Sequence, residues 1–337
     1  MRIDVHGHFT MAPPALDAYR GRQTSLLNRP TRGSLSISDD ELDASLAGLL
    51  AQMDERGIDV VLFSPRAAGM GHDLGDETVS RHWTEINNDL IARACERFPR
   101  RLVPVCQLPQ SPGADPANLR SELERCAAMG FVGCLVNPDV SGGVAPLTPP
   151  LGDEWWDPLW SAISEVEMPA MIHASATRHP GFHLNASHYI AQHHAAAVEL
   201  ATSSVLKRHP ALTVVVPHGG GAIPFHFNRL RALQVLAKST PFDEAVARLY
   251  FDTSVYDADA IEMLLRKIGA ANVLFGSEMF GTAKAVDPAT GRTFDDIVPM
   301  IDAISWLSDE DRRAIYEGNA KRLYPRLGQW LARAGVS

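Results

Sequence analysis

The sequence predicts an α/β protein, a (β/α)8 TIM barrel with long loops at its C-terminal face, and three observations carry that prediction. Eight short apolar runs alternate with stretches of helical patterning. Such alternation implies parallel strands joined by right-handed crossovers. The 337 residues give room for eight strand–helix units. Four segments that follow strands are long and rich in Gly, Pro and polar residues, and in a barrel they gather on the face where active sites are built. An open doubly wound sheet is the competing architecture. Its nucleotide-binding form expects G-x-G-x-x-G after a strand, and the chain has none.

The first strand is read over 2–9, directly behind Met1, with no secretory-leader pattern before it. A helix over 39–57 opens on Asp39, Asp40 and Glu41 and stops at Gly57, acid at the start and glycine at the end being the expected signals. The second strand is 58–66 and the third 102–109. A helix over 118–130 again ends on glycine, Gly130, and the fourth strand follows at 131–138. The fifth is 169–175. A helix over 191–209 leads to the sixth, 212–219. The seventh is 249–256, a helix covers 257–269, and the eighth strand is 273–278. The long loops are 10–39, 139–158, 176–190 and 279–294. No repeat or linker divides the chain, so residues 1–337 read as a single barrel domain.

Composition narrows the function. Lys and Arg number 31 against 40 Asp and Glu, a net charge of -9. A chain this acidic offers no basic face for phosphates, which argues against nucleic acid as partner. It leaves room for a small anionic substrate, since a metal or a few arginines override net charge locally. No apolar run approaches the ~20 residues that span a bilayer, so no membrane association is expected. Cys95, Cys106, Cys126 and Cys134 form no C-x-x-C pair and read as buried free thiols of a reducing, cytoplasmic setting.

Chemistry concentrates where strands stop. The first ends Asp4-Val5-His6-Gly7-His8, and alternation puts His6 and His8 on one face, where two imidazoles can share a divalent ion. Gly7 leaves room beside them. The fifth strand ends at His173, the sixth at His218 and the eighth at Glu278. A core histidine satisfied by hydrogen bonds explains any one of these. It explains four strand ends poorly. Imidazole and carboxylate ligands suit Zn²⁺, with Mn²⁺ or Fe²⁺ served by the same donors. His6, His8 and His173 are the expected ligands, with Glu278 bound or nearby.

These residues resemble the amidohydrolase superfamily, in the branch that includes the aminocarboxymuconate semialdehyde decarboxylases. Within it the chain is most similar to the 4-oxalomesaconate hydratases. The resemblance runs through Ser64-Pro65-Arg66, Met129-Gly130-Phe131, Pro149-Pro150-Leu151-Gly152-Asp153 and Ala201-Thr202-Ser203-Ser204. It continues through the block 218–224, Tyr250-Phe251-Asp252-Thr253, Gly276-Ser277-Glu278 and Asp287-Pro288-Ala289-Thr290-Gly291, and so covers essentially the whole chain. The eighth-strand acid, usually Asp in the superfamily, is Glu278 here, as in the hydratases. The resemblance implies a metal-dependent hydro-lyase of aromatic catabolism that adds water to a C=C bond of a short polycarboxylic enol or keto acid. The alternatives are a metal-dependent decarboxylase of an aromatic or muconate-type acid, and a C–N or C–O hydrolase. A homo-oligomer is also implied. The chain departs from the family at Met279-Phe280-Gly281, where Cys and Pro are expected, and over 178–188. Both stretches are expected to shape the pocket.

On this reading Glu278 is the acid/base, and His218 orients or deprotonates water or holds the substrate. Arg66, closing the second strand, can clamp a substrate carboxylate through two parallel hydrogen bonds; a surface arginine paired with a helix acid is the plain alternative. Arg178 is a weaker candidate. His188, in the loop after strand five, and Ser204, in the following helix, can donate to substrate. Tyr189 reads as a solvated loop residue. Asp252 either orients a ligand histidine or caps the next helix. His193 and His194 are adjacent in a helix, cannot both face one ion, and read as structural. Gly219-Gly220-Gly221 lacks the Lys-Ser/Thr of a phosphate loop and reads as close backbone approach. Trp155, Trp156 and Trp160 read as core or pocket wall.

Overall fold

The computed structural model describes residues 1–143, 146–179, 187–281 and 283–336. Its eight strands are β1 (Ile3–His8), β2 (Val60–Ser64), β3 (Leu102–Gln107), β4 (Gly133–Val136), β5 (Ala170–Ile172), β6 (Val214–Val216), β7 (Tyr250–Asp252) and β8 (Val273–Leu274). They form one sheet in chain order, and every neighbouring pair is parallel. The two edges meet: Val5 N donates to Phe275 O at 2.9 Å, and Glu278 N donates to His6 O at 3.0 Å. The (β/α)8 barrel expected from the alternation is what the chain forms.

The strands are shorter than the apolar runs that announce them, because ladder pairing with the neighbouring strands covers only part of each run. β2 stops at Ser64 although 58–66 reads as strand. β6 stops at Val216, two residues before His218. Seven strands are buried at every residue, and β7 at all but Tyr250, as a sheet lined by side chains within and helices without requires.

The surrounding helices follow their sequence signals closely. The helix Asp39–Arg56 opens on a capping box between Ser38 and Glu41 and closes on Gly57 at φ 63°. A left-handed cap of this kind carries no penalty for glycine. Its buried residues Leu42, Leu46, Leu49 and Met53 recur at helical spacing and pack one stripe against the sheet. Trp156 and Trp160 belong to the core, and their indole N–H groups donate to Pro149 O and Leu151 O at 2.9 and 3.1 Å. That fixes the Pro149–Asp153 stretch by backbone contact. All four cysteines are buried and free. Among the described residues, no helix is long and apolar enough to cross a membrane.

Two expectations need correction. The segment 10–39 is not one loop: it holds the helix Pro14–Ser25. The helix expected over 191–209 begins earlier, at Ser187, ends at Thr202, and is followed by a separate turn, Val205–Arg208. Serine hydroxyls compete for backbone groups, and Ser203 Oγ takes the Val205 N–H at 3.4 Å. Residues 180–186, within the stretch 178–188 read as divergent, and His183 with them, lie outside the described residues.

Candidate metal centre

β1 carries His6 and His8 into the barrel mouth, and a local register irregularity between Asp4 and Gly7 accompanies them. Gly7 is required by the neighbouring strand, not by the histidines: a Cβ there would meet Val61 Cγ1 at 2.1 Å. β5 ends one residue before His173. The three Nε2 atoms form a near-equilateral triangle with edges of 3.0, 3.1 and 3.1 Å.

Hydrogen bonds on the far side of each ring explain why these atoms converge. His173 Nδ1 lies 2.9 Å from Ala174 O, and a carbonyl only accepts, so Nδ1 carries the proton and Nε2 is bare. The Ser64 hydroxyl donates to Gly7 O at 2.9 Å, which leaves its oxygen to accept from His8 Nδ1 at 2.7 Å. His6 Nδ1 stands 2.6 Å from Asp252 Oδ2 and 3.2 Å from Ser254 Oγ. Lone pairs held together without protons between them are a ligand set, and carbonyls and carboxylates behind ligand imidazoles are the usual support. His6, His8, His173 and Glu278 place one ligand atom each within 4.8 Å of one another. The donor set fits a divalent ion.

The electrostatics of His8 and His173 agree, and His6 differs because of the carboxylate behind it. Burial first, then the neighbouring imidazoles, push His8 and His173 well below the usual histidine range. Burial alone would lower His6 too, but the Asp252 charge and hydrogen bond outweigh it and raise it. Asp252 is held down by His6 against its own desolvation. Asp252 therefore orients a histidine; the next helix is capped by Asp257, whose side chain accepts from Ala260 N.

Asp4, quoted in the first-strand motif but given no role, is fully buried. It accepts from His6 N at 2.9 Å and Ser277 N at 3.0 Å, and also from the Ser277 hydroxyl. Burial raises its pKa to about 6 against those hydrogen bonds. It ties β1 to the segment that presents Glu278.

Beside the histidines lies a cavity of 390 Å³, lined by Tyr189, Ile190, His218, Gly221, Ser254, Val255, Tyr256, Ala260 and Glu278. A larger one of 620 Å³ opens at the other end, where Met1, Ile58 and Arg101 precede β1, β2 and β3, and no histidine lines it. His218 sits at φ 53°. Its Nδ1 donates to Ser254 O at 3.0 Å, so Nε2 is its accepting nitrogen. Glu278 is half-buried, and the Tyr256 hydroxyl donates to its Oε2.

The other sequence candidates divide. Arg66 is exposed, its guanidinium has no hydrogen bond or ion pair among the described residues, and its charge reaches Tyr189 of the cavity wall. Arg178 is paired with Asp73 at 2.9 Å. His188 lies in the first turn of the helix Ser187–Thr202, not in a loop, is buried, and its Nε2 meets Ser175 O at 3.0 Å. Tyr189 is half-buried in that turn rather than solvated, its ring 4.1 Å from that of His188. Ser204 does not join the site. It follows that helix, about 24 Å further along by helical rise, where Arg208 donates to its hydroxyl. His193 turns away from the ion position but supports it: Nε2 accepts from Ala174 N at 2.9 Å, and its ring stacks on His218 at 5.1 Å.

Two residues of the family departure after Glu278, Met279 and Phe280, are not among those that line the cavity. Met279 is buried in the core, and Phe280 reaches toward Gly48. The three glycines sit at φ 60°, 73° and 64°, and a Cβ on Gly220 would meet the Phe251 ring at 2.6 Å.

Comparison with known proteins follows the same line. The sequence profile of the family described as amidohydrolase matches residues 3–326. The chain is 40% identical over 341 residues to the 2-keto-4-carboxy-3-hexenedioate hydratase of a Sphingobium species, covering 100% of this chain and 99% of that one. The crystal structure of 4-oxalomesaconate hydratase from Rhodopseudomonas palustris superposes with a TM-score of 0.91 at 41% identity, covering 99% of both chains. A manganese-bound 5-carboxyvanillate decarboxylase from Novosphingobium aromaticivorans shares the fold, with a TM-score of 0.73 at 21% identity over 96% of this chain and 97% of that one.

Proposed function

This chain belongs to the amidohydrolase family, and from that premise we propose that it is a hydro-lyase adding water across the C=C bond of a short polycarboxylic keto or enol acid. The full-length 40% identity to a hydratase carries the reading, with a 2-keto-4-carboxy-3-hexenedioate-like acid as the substrate. His6, His8 and His173 would hold a divalent ion, with Glu278 as a further ligand or beside it. Zinc is our choice on ligand type, and manganese and iron(II) suit the same donors. When bound, such an ion supplies Lewis-acid chemistry, making water acidic near neutrality and stabilising charge that develops on oxygen.

The chain's own residues supply the rest. His218, with Nδ1 committed to Ser254 O, offers Nε2 to orient or deprotonate the attacking water. Glu278 hands a proton to the carbon beside the one that receives oxygen. Arg66 binds a substrate carboxylate as a two-pronged donor. His188, engaged on Ser175 O, holds the wall behind the substrate. Ser204 is not carried forward. We take the protein to work in the cytoplasm, where four free thiols are stable, as a homo-oligomer of single-domain chains, without nucleic-acid or membrane partners.

The test is mass. Protein is mixed with the enol or keto acid, and loss of its conjugated ultraviolet band is followed by mass spectrometry. A gain of one water is expected; loss of carbon dioxide would make the protein a decarboxylase instead.

A further inference from the structure

The hydroxyl of Tyr256, on the cavity wall, has no part in that scheme. Six non-glycine residues among those described have positive φ, and three of them, His218, Tyr256 and Glu278, line the 390 Å³ cavity. Left-handed backbone in bulky residues is strained, persists only where surroundings impose it, and gathers at functional sites. Tyr256 stands at φ 58°. The turn before it is tied by Val255 N to Thr253 O at 2.7 Å, and Asp257 immediately after it caps a helix. The ring so directed lies 6.4 Å from that of His218, and its hydroxyl donates to Glu278 Oε2.

Glu278 is boxed from the other side. Its N–H is spent on His6 O at 3.0 Å, and its carbonyl accepts from Gly281 N at 2.8 Å. A Cβ on Gly281 would meet the Glu278 carboxyl carbon at 2.8 Å. The side chain therefore has one seat, between a glycine and a phenol.

We propose that Tyr256 is a positioning residue: by occupying Oε2 of Glu278 it leaves Oε1 as the single working oxygen, presented to the histidine triangle and the reacting carbon. Without it the carboxylate is free to turn and to engage an ion through both oxygens. The phenolic proton stays on Tyr256 throughout. The oxygen of water bonds to one carbon while the π pair takes the Oε1 proton at the next, and the proton that water loses restores Oε1, so no bond to Tyr256 forms or breaks. The inference rests on the hydro-lyase reading for its catalytic consequence, but not for its geometric one.

The experiment uses the metal-loaded full chain with Tyr256→Phe and, as a second variant, Gly281→Ala, beside wild type and Glu278→Gln. Two quantities are read: kcat and KM on a conjugated keto tricarboxylic acid, and the visible spectrum of the Co²⁺-loaded protein. In Tyr256→Phe we expect kcat to fall about 10–100-fold with KM within about two-fold and metal content unchanged, and the Co²⁺ bands to change as Glu278 takes a different hold. Gly281→Ala should move both readouts and decides the matter if Tyr256→Phe does not fold. A Co²⁺ spectrum identical to wild type overturns the proposal, as does kcat within about two-fold of wild type. If wild type does not turn over the acid at all, the hydro-lyase reading fails, and the Co²⁺ spectrum still decides whether Tyr256 restricts Glu278.

Discussion

Asp252 Oδ2 stands 2.6 Å from His6 Nδ1, with both side chains wholly buried and 246 residues apart in the chain. The carboxylate fixes the His6 tautomer and aims Nε2 at those of His8 and His173. Asp252→Asn keeps the shape and loses the charge. It should weaken metal binding about 10–100-fold, measured by competition with a chelator of known affinity.

Glu278 is assigned to proton transfer more than to holding the ion, because three imidazoles already converge without it. Glu278→Gln should retain the metal while kcat falls by about 10²–10⁴-fold. Metal analysis and steady-state kinetics on one preparation check both. Undiminished turnover removes Glu278 from the chemistry.

Arg66 is the cation near the cavity with no ion pair among the described residues. Losing a charge-assisted hydrogen bond costs about 1.5–3 kcal/mol. Arg66→Met should therefore raise KM for a polycarboxylate about 10–100-fold, with a smaller effect on kcat. An unchanged KM places the clamp elsewhere.

Asp4 gives the metal-free protein a pH signature. Desolvation raises its folded pKa from 3.8 to about 6. Between those values the folded chain binds more protons than the unfolded one, so this group's contribution falls as pH rises from about 4 to 6, by roughly 3 kcal/mol. Asp4→Asn should flatten that slope. Urea melts of chelated protein across the window measure it, and equal slopes in both proteins refute the assignment.

Much of this was legible in the sequence, and the limits have physical reasons. Period-two alternation put His6 and His8 on one face, and His173 and Glu278 announced themselves by ending apolar runs. Periodicity gives a residue's face but not its neighbour. Asp252 therefore had two local readings, and only the closed barrel, which brings β7 beside β8 and β8 beside β1, chose between them. Tyr256 carried no signal, because its role depends on a left-handed backbone and a partner 22 residues on. His193 was read through its helix, whereas its effect comes from stacking on another strand's loop. Ser204 is not among the cavity's lining residues for the converse reason: a familiar stretch places a residue in sequence, not at a site.

Turnover is expected to depend on a divalent ion held by the Nε2 triangle of His6, His8 and His173. The direct measurement is hydration rate against bound metal, through exhaustive chelation and stepwise return of Zn²⁺ or Mn²⁺. Activity should vanish with the ion and return in proportion to one equivalent per chain. Full turnover by protein with no detectable metal would contradict it.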